Sequence, residues 1–422
     1  VAAHGGCRCR RRSVIVTPYA ITGVGLVSPL GTGYPAFERE LARWAAEPHG
    51  VFRSDRSLLD PARVADPLTA ECLAFDAKEH LGDKGLRNFD RLTKLLIVCG
   101  KLALEDAGLK RDGVHKLAPD RVGVCSATAY GSLEAITEAV QVTELEAPHL
   151  LNPNRFPNTV SNAAAGYVSI WEDLRAPNVT VVDGNCGALD AVLSGGTHLR
   201  NGRADAFLVG GGEALSEALY VAFRKLGVLA DGTRKFAPGA ADSQGMRLGE
   251  GAAYFCLEQA DFARSRGARI RAEVIGYGNA FEPPPSEAQI VHVSSDAVSR
   301  AIRMALSDAE LTPEQIDVVA SAQSGIVNFD AAELAGIRAT VSAPIAAPKA
   351  IFGETCGAGG ALAIACGLAW LTGVAVAPIV DDAAGKLGDQ TGATRRREIR
   401  HVLVTAVGYY GNASAVILRK PS

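Results

Sequence analysis

Cys186 is the first candidate for chemistry in this sequence, because of where it falls. The segment VTVVDGNCGALDA, residues 179–191, reads as a buried strand that enters a Gly-containing turn and then a helix. At such a turn the unpaired N–H groups and dipole of the helix favour a thiolate or an oxyanion. A nucleophilic thiol also needs a base or a cationic partner. The eight histidines are His4, His49, His80, His115, His149, His198, His292 and His401. Most fall in polar loops or on helix surfaces, and His292, after a Pro-rich loop, is the best placed for acid–base work. No complete Cys–His pair is evident, and a packed small residue at a crowded turn is the competing reading of Cys186.

Four further turns carry polar groups or aromatic hydroxyls. In VVASAQSGIVNFDAAEL, residues 318–334, a strand ends in small residues and leads to Asp330 and Glu333, which acids at a helix start explain without chemistry. APKAIFGETCGAGGA places Lys349 before a Gly-rich turn, where anchoring a loop through carbonyls or a carboxylate is a simpler role than forming a Schiff base. AVGYYGNAS, from Ala406, is a Gly-flanked aromatic turn between two strands. GGGEA, from Gly210, ends another strand and brings Glu213 close to the backbone.

The elements that must position these groups alternate in type. Apolar β-rich runs at 20–27, 122–126, 179–182, 206–209, 270–275, 318–320, 402–406 and 415–418 predict strands. Helical patterns occupy 91–107, 161–170, 187–199, 295–308 and 359–371. Loops are marked by FEPPP at 281–285, LNPNRFP at 151–157 and the stretch 237–251. The pattern predicts an α/β fold with buried strands. NCGALDAVLSGGTHLRNG from Asn185 echoes TCGAGGALAIACGLAWLTG from Thr355, each a turn followed by a small-residue helix. Such an echo implies a duplicated core whose halves stack through two central helices.

Composition excludes several classes. Forty-three Lys and Arg against forty-six Asp and Glu give a net charge of −3, with no pull toward nucleic acid or an anionic membrane. Hydrophobic residues at 48% against 21% charged exclude disorder. No uninterrupted apolar run is long enough to span a bilayer. The nine cysteines are odd in number and mostly sit in apolar stretches, which points to a reducing, cytoplasmic compartment. Cys7 and Cys9 lack a histidine at ligand spacing, so no metal is expected. Residues 1–13 read as a disordered arm or an extension upstream of the true start; export, suggested by CRCRRR before an apolar run, is the weaker alternative because Pro18, Gly23 and Gly25 interrupt that run.

ITGVGLVSPLG, NPNRFPNTVSNAAAG, LVGGGEA, MRLGEGAAYFCLEQADFARSRGARI and APKAIFG, in this order, resemble successive motifs of the thiolase-fold β-ketoacyl synthases across residues 20–419. The resemblance implies a thiolase-like fold of two duplicated βαβαβ-type halves stacked as α-β-α-β-α layers. It divides the chain into an arm at 1–19, an N-terminal half with interface insertions at 20–265 and a C-terminal half at 266–422.

The departures from that family matter most. Aligned without gaps, the nucleophile's position falls on Asn185, one residue before Cys186. The first histidine position falls on Ala322 and the second on Glu354, while Lys349 and Glu333 match. The family's GFGG-like gating turn has become Gly408, Tyr409, Tyr410 and Gly411. Loss of the nucleophile and both histidines resembles the chain length factor, the non-condensing partner of bacterial type II polyketide ketosynthases. Those subunits carry Gln at the nucleophile position; Asn185 keeps the amide on a side chain one methylene shorter.

That resemblance implies a heterodimer with a catalytic ketosynthase alpha subunit. It also implies acyl groups delivered on the phosphopantetheine arm of an acyl carrier protein, and no cofactor bound to this chain itself. Leu133, Ile136 and Val140, at i, i+3 and i+7 of a helix, are expected to form the far wall of the acyl tunnel, with a plain core stripe as the alternative. Two other readings compete: a malonyl-carrier decarboxylase or priming subunit using Asn185, and a stand-alone condensing acyltransferase using Cys186.

Overall fold

The computed structural model describes residues 18–421 except 56, 61, 65, 66, 290 and 382–397. The arm expected at 1–13 lies outside the described residues. Eleven strands carry the architecture: β1 (Tyr19–Ser28), β2 (Val122–Ala127), β3 (Asn178–Val181), β4 (Ala206–Glu213), β5 (Gly251–Gln259), β6 (Ala272–Phe281), β7 (Val318–Ala320), β8 (Ile345–Ala346), β9 (Ile379–Asp381), β10 (His401–Val407) and β11 (Asn412–Arg419). Their order is β9-β8-β7-β10-β11-β6-β1-β5-β4-β2-β3, with a short Gly31–Thr32 arm paired to β1.

That order contains the same half twice. Outward from the middle, the first half runs β1-β5-β4-β2-β3 and the second β6-β11-β10-β7-β8. Each therefore places its first, fifth, fourth, second and third strands in the same sequence, and the second adds β9 at its edge. The halves join where Tyr19–Ile21 pairs antiparallel with Ala272–Val274. β5, β8 and β9 were not legible as strands in the sequence. β5 is buried on both faces and reads as a continuous apolar run; β8 and β9 are too short to show a period.

The longer helices among the described residues position the rest: α1 (Tyr34–Ala46), α2 (Arg91–Asp106), α3 (Leu133–Gln141), α4 (Ala163–Glu172), α5 (Gly187–Arg200), α6 (Glu217–Lys225), α7 (Ser295–Asp308), α8 (Val327–Arg338) and α9 (Gly359–Leu371). α2 and α4 cover the outer face of the first half, and α7 and α8 that of the second. α5 and α9 lie between the halves and touch each other, which completes the five layers of a thiolase-like fold. Side-chain caps start several helices: Asp90 accepts from the Thr93 N–H at 2.8 Å, and Ser294 from Ala297 at 3.1 Å.

Glycine spacing repeats the duplication. A Cβ on Gly23 or Gly25 of β1 would sit 2.3 or 1.9 Å from α2 carbonyl oxygens. A Cβ on Gly276 or Gly278 of β6 would sit 2.3 or 2.0 Å from α7 carbonyls. In both halves the first strand therefore lets a helix lie directly on its backbone. Between the halves, a Cβ on Gly360 would meet Leu189 of α5 at 3.1 Å. α9 is apolar all round because it is buried all round.

Candidate functional site

The two echoing turns meet between the halves. Asn185 and Cys186 occupy a single 3-10 turn, Gly184–Cys186, that opens α5; Cys356–Ala358 forms the matching turn before α9. The turn groups of the two halves converge here, and Glu354 is their centre.

Glu354 is buried and fully engaged. Its Oε2 accepts from Lys349 Nζ at 2.7 Å, Tyr409 Oη at 3.0 Å and Asn185 Nδ2 at 3.4 Å. Its Oε1 accepts from the Cys356 N–H at 2.8 Å. Burial alone would lower the Lys349 pKa, but the Glu354 charge and hydrogen bond hold it above the ordinary lysine value. Burial, with the Glu354 charge beside it, pushes the Tyr409 phenol well up. Ammonium, phenol and amide all point at one carboxylate, and no group in the cluster is a free nucleophile or base. The cavity beside it, lined by Asn185, Ala322, Lys349 and Thr405 among others, holds only about 10 Å³. That is room for about one water molecule.

The retained carboxylates fasten loops rather than a helix start. Glu333 Oε1 accepts from the Ala322 N–H at 2.9 Å and Thr405 Oγ1 at 2.6 Å, while its buried Oε2 has no hydrogen-bond partner. Burial pushes its carboxyl up to about 7. Asp330 accepts from the N–H groups of Ser324 at 2.8 Å, Gly325 at 2.9 Å and Gly239 at 2.8 Å, and so ties two loops together. Glu213 bridges the halves, accepting from Ala129 N at 2.7 Å and Gly357 N at 3.1 Å. Burial pushes it up to about 7 as well.

The Gly408–Gly411 turn is tight. A Cβ on Gly411, at φ +91°, would lie 1.9 Å from the Glu282 carbonyl oxygen. The turn sends its two tyrosines in opposite directions. Tyr409 turns inward to Glu354 and packs on Phe329 at 5.6 Å between centroids, while Tyr410 is 62% exposed. His292 reaches this turn through its backbone, donating to the Tyr409 carbonyl at 2.7 Å.

Two expectations need correction. Cys186 does not face the cluster: its thiol donates to the Ala406 carbonyl at 3.4 Å and is wholly buried. Burial, with Asp190 and Asp183 nearby, pushes its pKa well above the ordinary thiol value, the opposite of an activated nucleophile. Among the described residues no histidine hydrogen-bonds to it. The stripe on α3 is not core either. Ile136 is 37% and Val140 53% exposed, and Leu133 alone is half-buried, against the cluster that includes Leu219 and Phe223. The inward face of α3 is Ala135, so the alternative of a plain core stripe fails for Ile136 and Val140. Met246, whose Sδ lies 3.9 Å from Tyr409 Oη, is a site neighbour the sequence did not signal; only its adjacency to the GEG turn hinted at it.

Comparison with known proteins gives the class. The β-ketoacyl synthase N-terminal domain matches residues 17–263, and the C-terminal domain of the same enzymes matches 272–381. The chain belongs to the β-ketoacyl synthase family. It is 30% identical over 416 residues to the tetracenomycin polyketide synthase ketoacyl synthase beta subunit of Streptomyces glaucescens, covering 96% of this chain and 98% of that one. A putative polyketide beta-ketoacyl synthase 2 of Streptomyces coelicolor is 31% identical, covering 95% and 94%. A 3-oxoacyl-[acyl-carrier-protein] synthase 2 of Rhizobium meliloti is 30% identical, covering 95% and 98%. In fold, the ishigamide ketosynthase/chain length factor superposes with a TM-score of 0.82 at 24% identity, over 96% of this chain and 100% of that one. No described helix is long and apolar enough to cross a membrane.

Proposed function

We propose that this chain is a non-condensing chain length factor. On this reading it pairs with a catalytic ketosynthase alpha subunit in the cytoplasm, shapes the tunnel into which the polyketide grows, and so sets acyl length on the acyl carrier protein. The resemblance places the two halves at 20–265 and 266–422 with an arm at 1–19; because Tyr19 already pairs in β1, the first half is taken from Tyr19. The observation that carries the reading is the Glu354 cluster. By the resemblance, Asn185, Ala322 and Glu354 stand where the nucleophile and the two histidines are expected, and Asn185, Lys349 and Tyr409 all donate to Glu354.

A second observation supports a partner. β3 is the edge of the sheet and pairs only with β2 among the described strands, which leaves one row of its backbone groups open. Ile170, on the α4 helix that packs on β3, is 76% exposed, and Val182, which follows β3 directly, is 55% exposed. Exposed apolar residues beside an open strand edge fit a large obligate interface. The tunnel wall assigned to Leu133, Ile136 and Val140 would then be completed by the other subunit.

The alternatives fare less well. A priming or decarboxylating role needs the Asn185 amide free to hold a thioester carbonyl, yet it already donates to Glu354 beside a space of about 10 Å³. A stand-alone acyltransferase needs a reactive Cys186, which is buried and raised in pKa. The test is reconstitution. Alone, the chain should extend no acyl chain; with a cognate ketosynthase and acyl carrier protein, turnover should appear, and Cys186→Ala should leave it mostly intact. Loss of turnover in Cys186→Ala comparable to removing the partner's nucleophile would overturn the reading.

A further inference from the structure

A second cleft opens away from the Glu354 cluster, with a volume of about 290 Å³. Its floor is apolar, from Leu368 and Leu371 at the end of α9, both almost fully buried. Its rim carries Arg269, Arg271 and Lys420, and among the described residues no carboxylate lines it. Arg271 is held by Asp106, which takes its Nε at 2.8 Å, and Lys420 by Glu398 at 2.8 Å. Arg269 makes no ion pair or hydrogen bond among the described residues.

The wall supplies the second observation. Tyr34 is 2% exposed, lies under the Arg271 guanidinium at 5.1 Å, and lines the cleft. Its buried hydroxyl has no hydrogen-bond partner. The single proton of the Thr372 hydroxyl beside it is shared between Glu38 Oε1 at 2.7 Å and the Ala369 carbonyl at 2.8 Å. A buried phenol without an acceptor carries a desolvation cost that an incoming acceptor would remove. The stacked rings of Tyr34, Phe37 and Phe352, at 6.2 and 5.9 Å between centroids, fill the space toward residues 349–354. The cleft is therefore not the mouth of that cluster.

We infer that this cleft binds a small amphiphilic carboxylate, with its hydrocarbon over Leu368 and Leu371 and its head group between the Tyr34 hydroxyl and Arg269. The volume lies at the lower end of ligand-pocket sizes, which suits a short chain. A free donor beside an uncommitted cation favours an anionic acceptor over a neutral one.

The test is calorimetric titration of the full chain, in the assembly in which it purifies, with sodium octanoate and separately with 1-octanol. Octanoate should saturate one site per chain, and octanol should bind at least about tenfold more weakly. Tyr34→Phe keeps the ring and removes only the unpartnered hydroxyl, so it should fold with a melting temperature at or above the parent's. Arg269→Ala alters an exposed side chain. Each should weaken octanoate by about five- to tenfold, or roughly 1 kcal/mol. No binding of octanoate, equal binding of octanol, or octanoate affinity unmoved in both variants would each overturn the inference. The last is also the result expected if the fatty acid entered an acyl tunnel instead.

Discussion

Lys349 and Glu354 form a buried ion pair, Nζ to Oε2 at 2.7 Å, with 7% and 0% of their side chains exposed. They are five residues apart, on either side of the short helix Lys349–Phe352 and the turn at Gly353. A histidine at 354 would present a neutral or cationic ring to Lys349; the glutamate presents its counter-charge. Lys349 is thereby held as an ammonium, its pKa above the ordinary lysine value.

Breaking this pair from one side should be costly. Removing one partner of a buried pair typically costs ~3–5 kcal/mol because the other charge is stranded. Glu354→Ala should therefore lower the denaturation midpoint sharply, while Lys349→Met with Glu354→Leu should recover most of the loss. Urea titrations of the single and double variants measure this. A single variant as stable as the parent would mean the pair carries no structural load.

Glu333 gives the chain a pH signature. An unfolded glutamate titrates near ~4.3, whereas burial raises the folded group to about 7. Between these values the folded chain holds a proton that the unfolded chain has released. Its contribution is full below the unfolded value and is lost as pH rises through about 7. Stability should fall across that window, by roughly 1–3 kcal/mol from this group. Glu333→Gln, neutral throughout, should flatten the slope. Glu213 contributes with the same sign and should leave a residual slope. Denaturation midpoints from pH 5 to 8 for parent and variant check the difference.

Much of the fold was legible, and the reason is period. The helices at Ser295–Asp308 and Gly359–Leu371 and the strand at Val318–Ala320 fall where the apolar pattern placed them. The echo of the two turns pointed to the duplication, while the second echo, Gly23 and Gly25 against Gly276 and Gly278, passed unnoticed because two glycines carry little signal before the packing is known. The site was legible as a set of substitutions only. That Asn185, Lys349 and Tyr409 converge on one oxygen of Glu354 depends on positions up to 224 residues apart, 185 to 409, brought together by the two turns. For the stripe on α3, spacing defined a face without saying what covers it, and the exposure of Ile136 and Val140 removes only the alternative of a core stripe.

The exposed apolar residues beside β3 should govern assembly. Ile170→Glu with Val182→Glu alters side chains that contribute little to this chain's own core, being 76% and 55% exposed. The double variant should keep its melting behaviour as an isolated chain but fail to sediment with the cognate ketosynthase. A stable complex at unchanged affinity would move the interface elsewhere.

Product length should respond to α3. If Leu133, Ile136 and Val140 form the tunnel's end wall, Phe or Trp at 133 or 136 should shorten the products without abolishing synthesis, and Ala should lengthen or broaden them. Overpacking a filled cavity costs ~1–3 kcal/mol, and ~1.4 kcal/mol shifts a partition tenfold. Because Ile136 and Val140 are exposed in this chain, such variants should fold normally. Mass spectrometry of products from the reconstituted pair reads the outcome, and an unaltered distribution would show that these side chains do not bound the growing chain.

Tyr409 should decide whether the degenerate site can be reached at all. Its phenol donates at 3.0 Å to the same Glu354 oxygen that accepts from Asn185, while Asn185 itself is 5% exposed. Introducing a thiol by Asn185→Cys should therefore give a residue that iodoacetamide labels slowly. Adding Tyr409→Gly removes both ring and hydrogen bond, and labelling at position 185 should rise by about tenfold or more, read peptide by peptide by mass spectrometry. Cys186 serves as an internal control, since its thiol is wholly buried and donates to the Ala406 carbonyl, and it should stay unlabelled in both variants. Tyr409→Phe separates the two effects: it keeps the ring and loses only the hydrogen bond, so a rate close to that of the glycine variant would assign closure to the hydrogen bond. A rate close to that of Asn185→Cys alone would assign it to the ring. If position 185 labels rapidly with Tyr409 intact, the turn does not close the site.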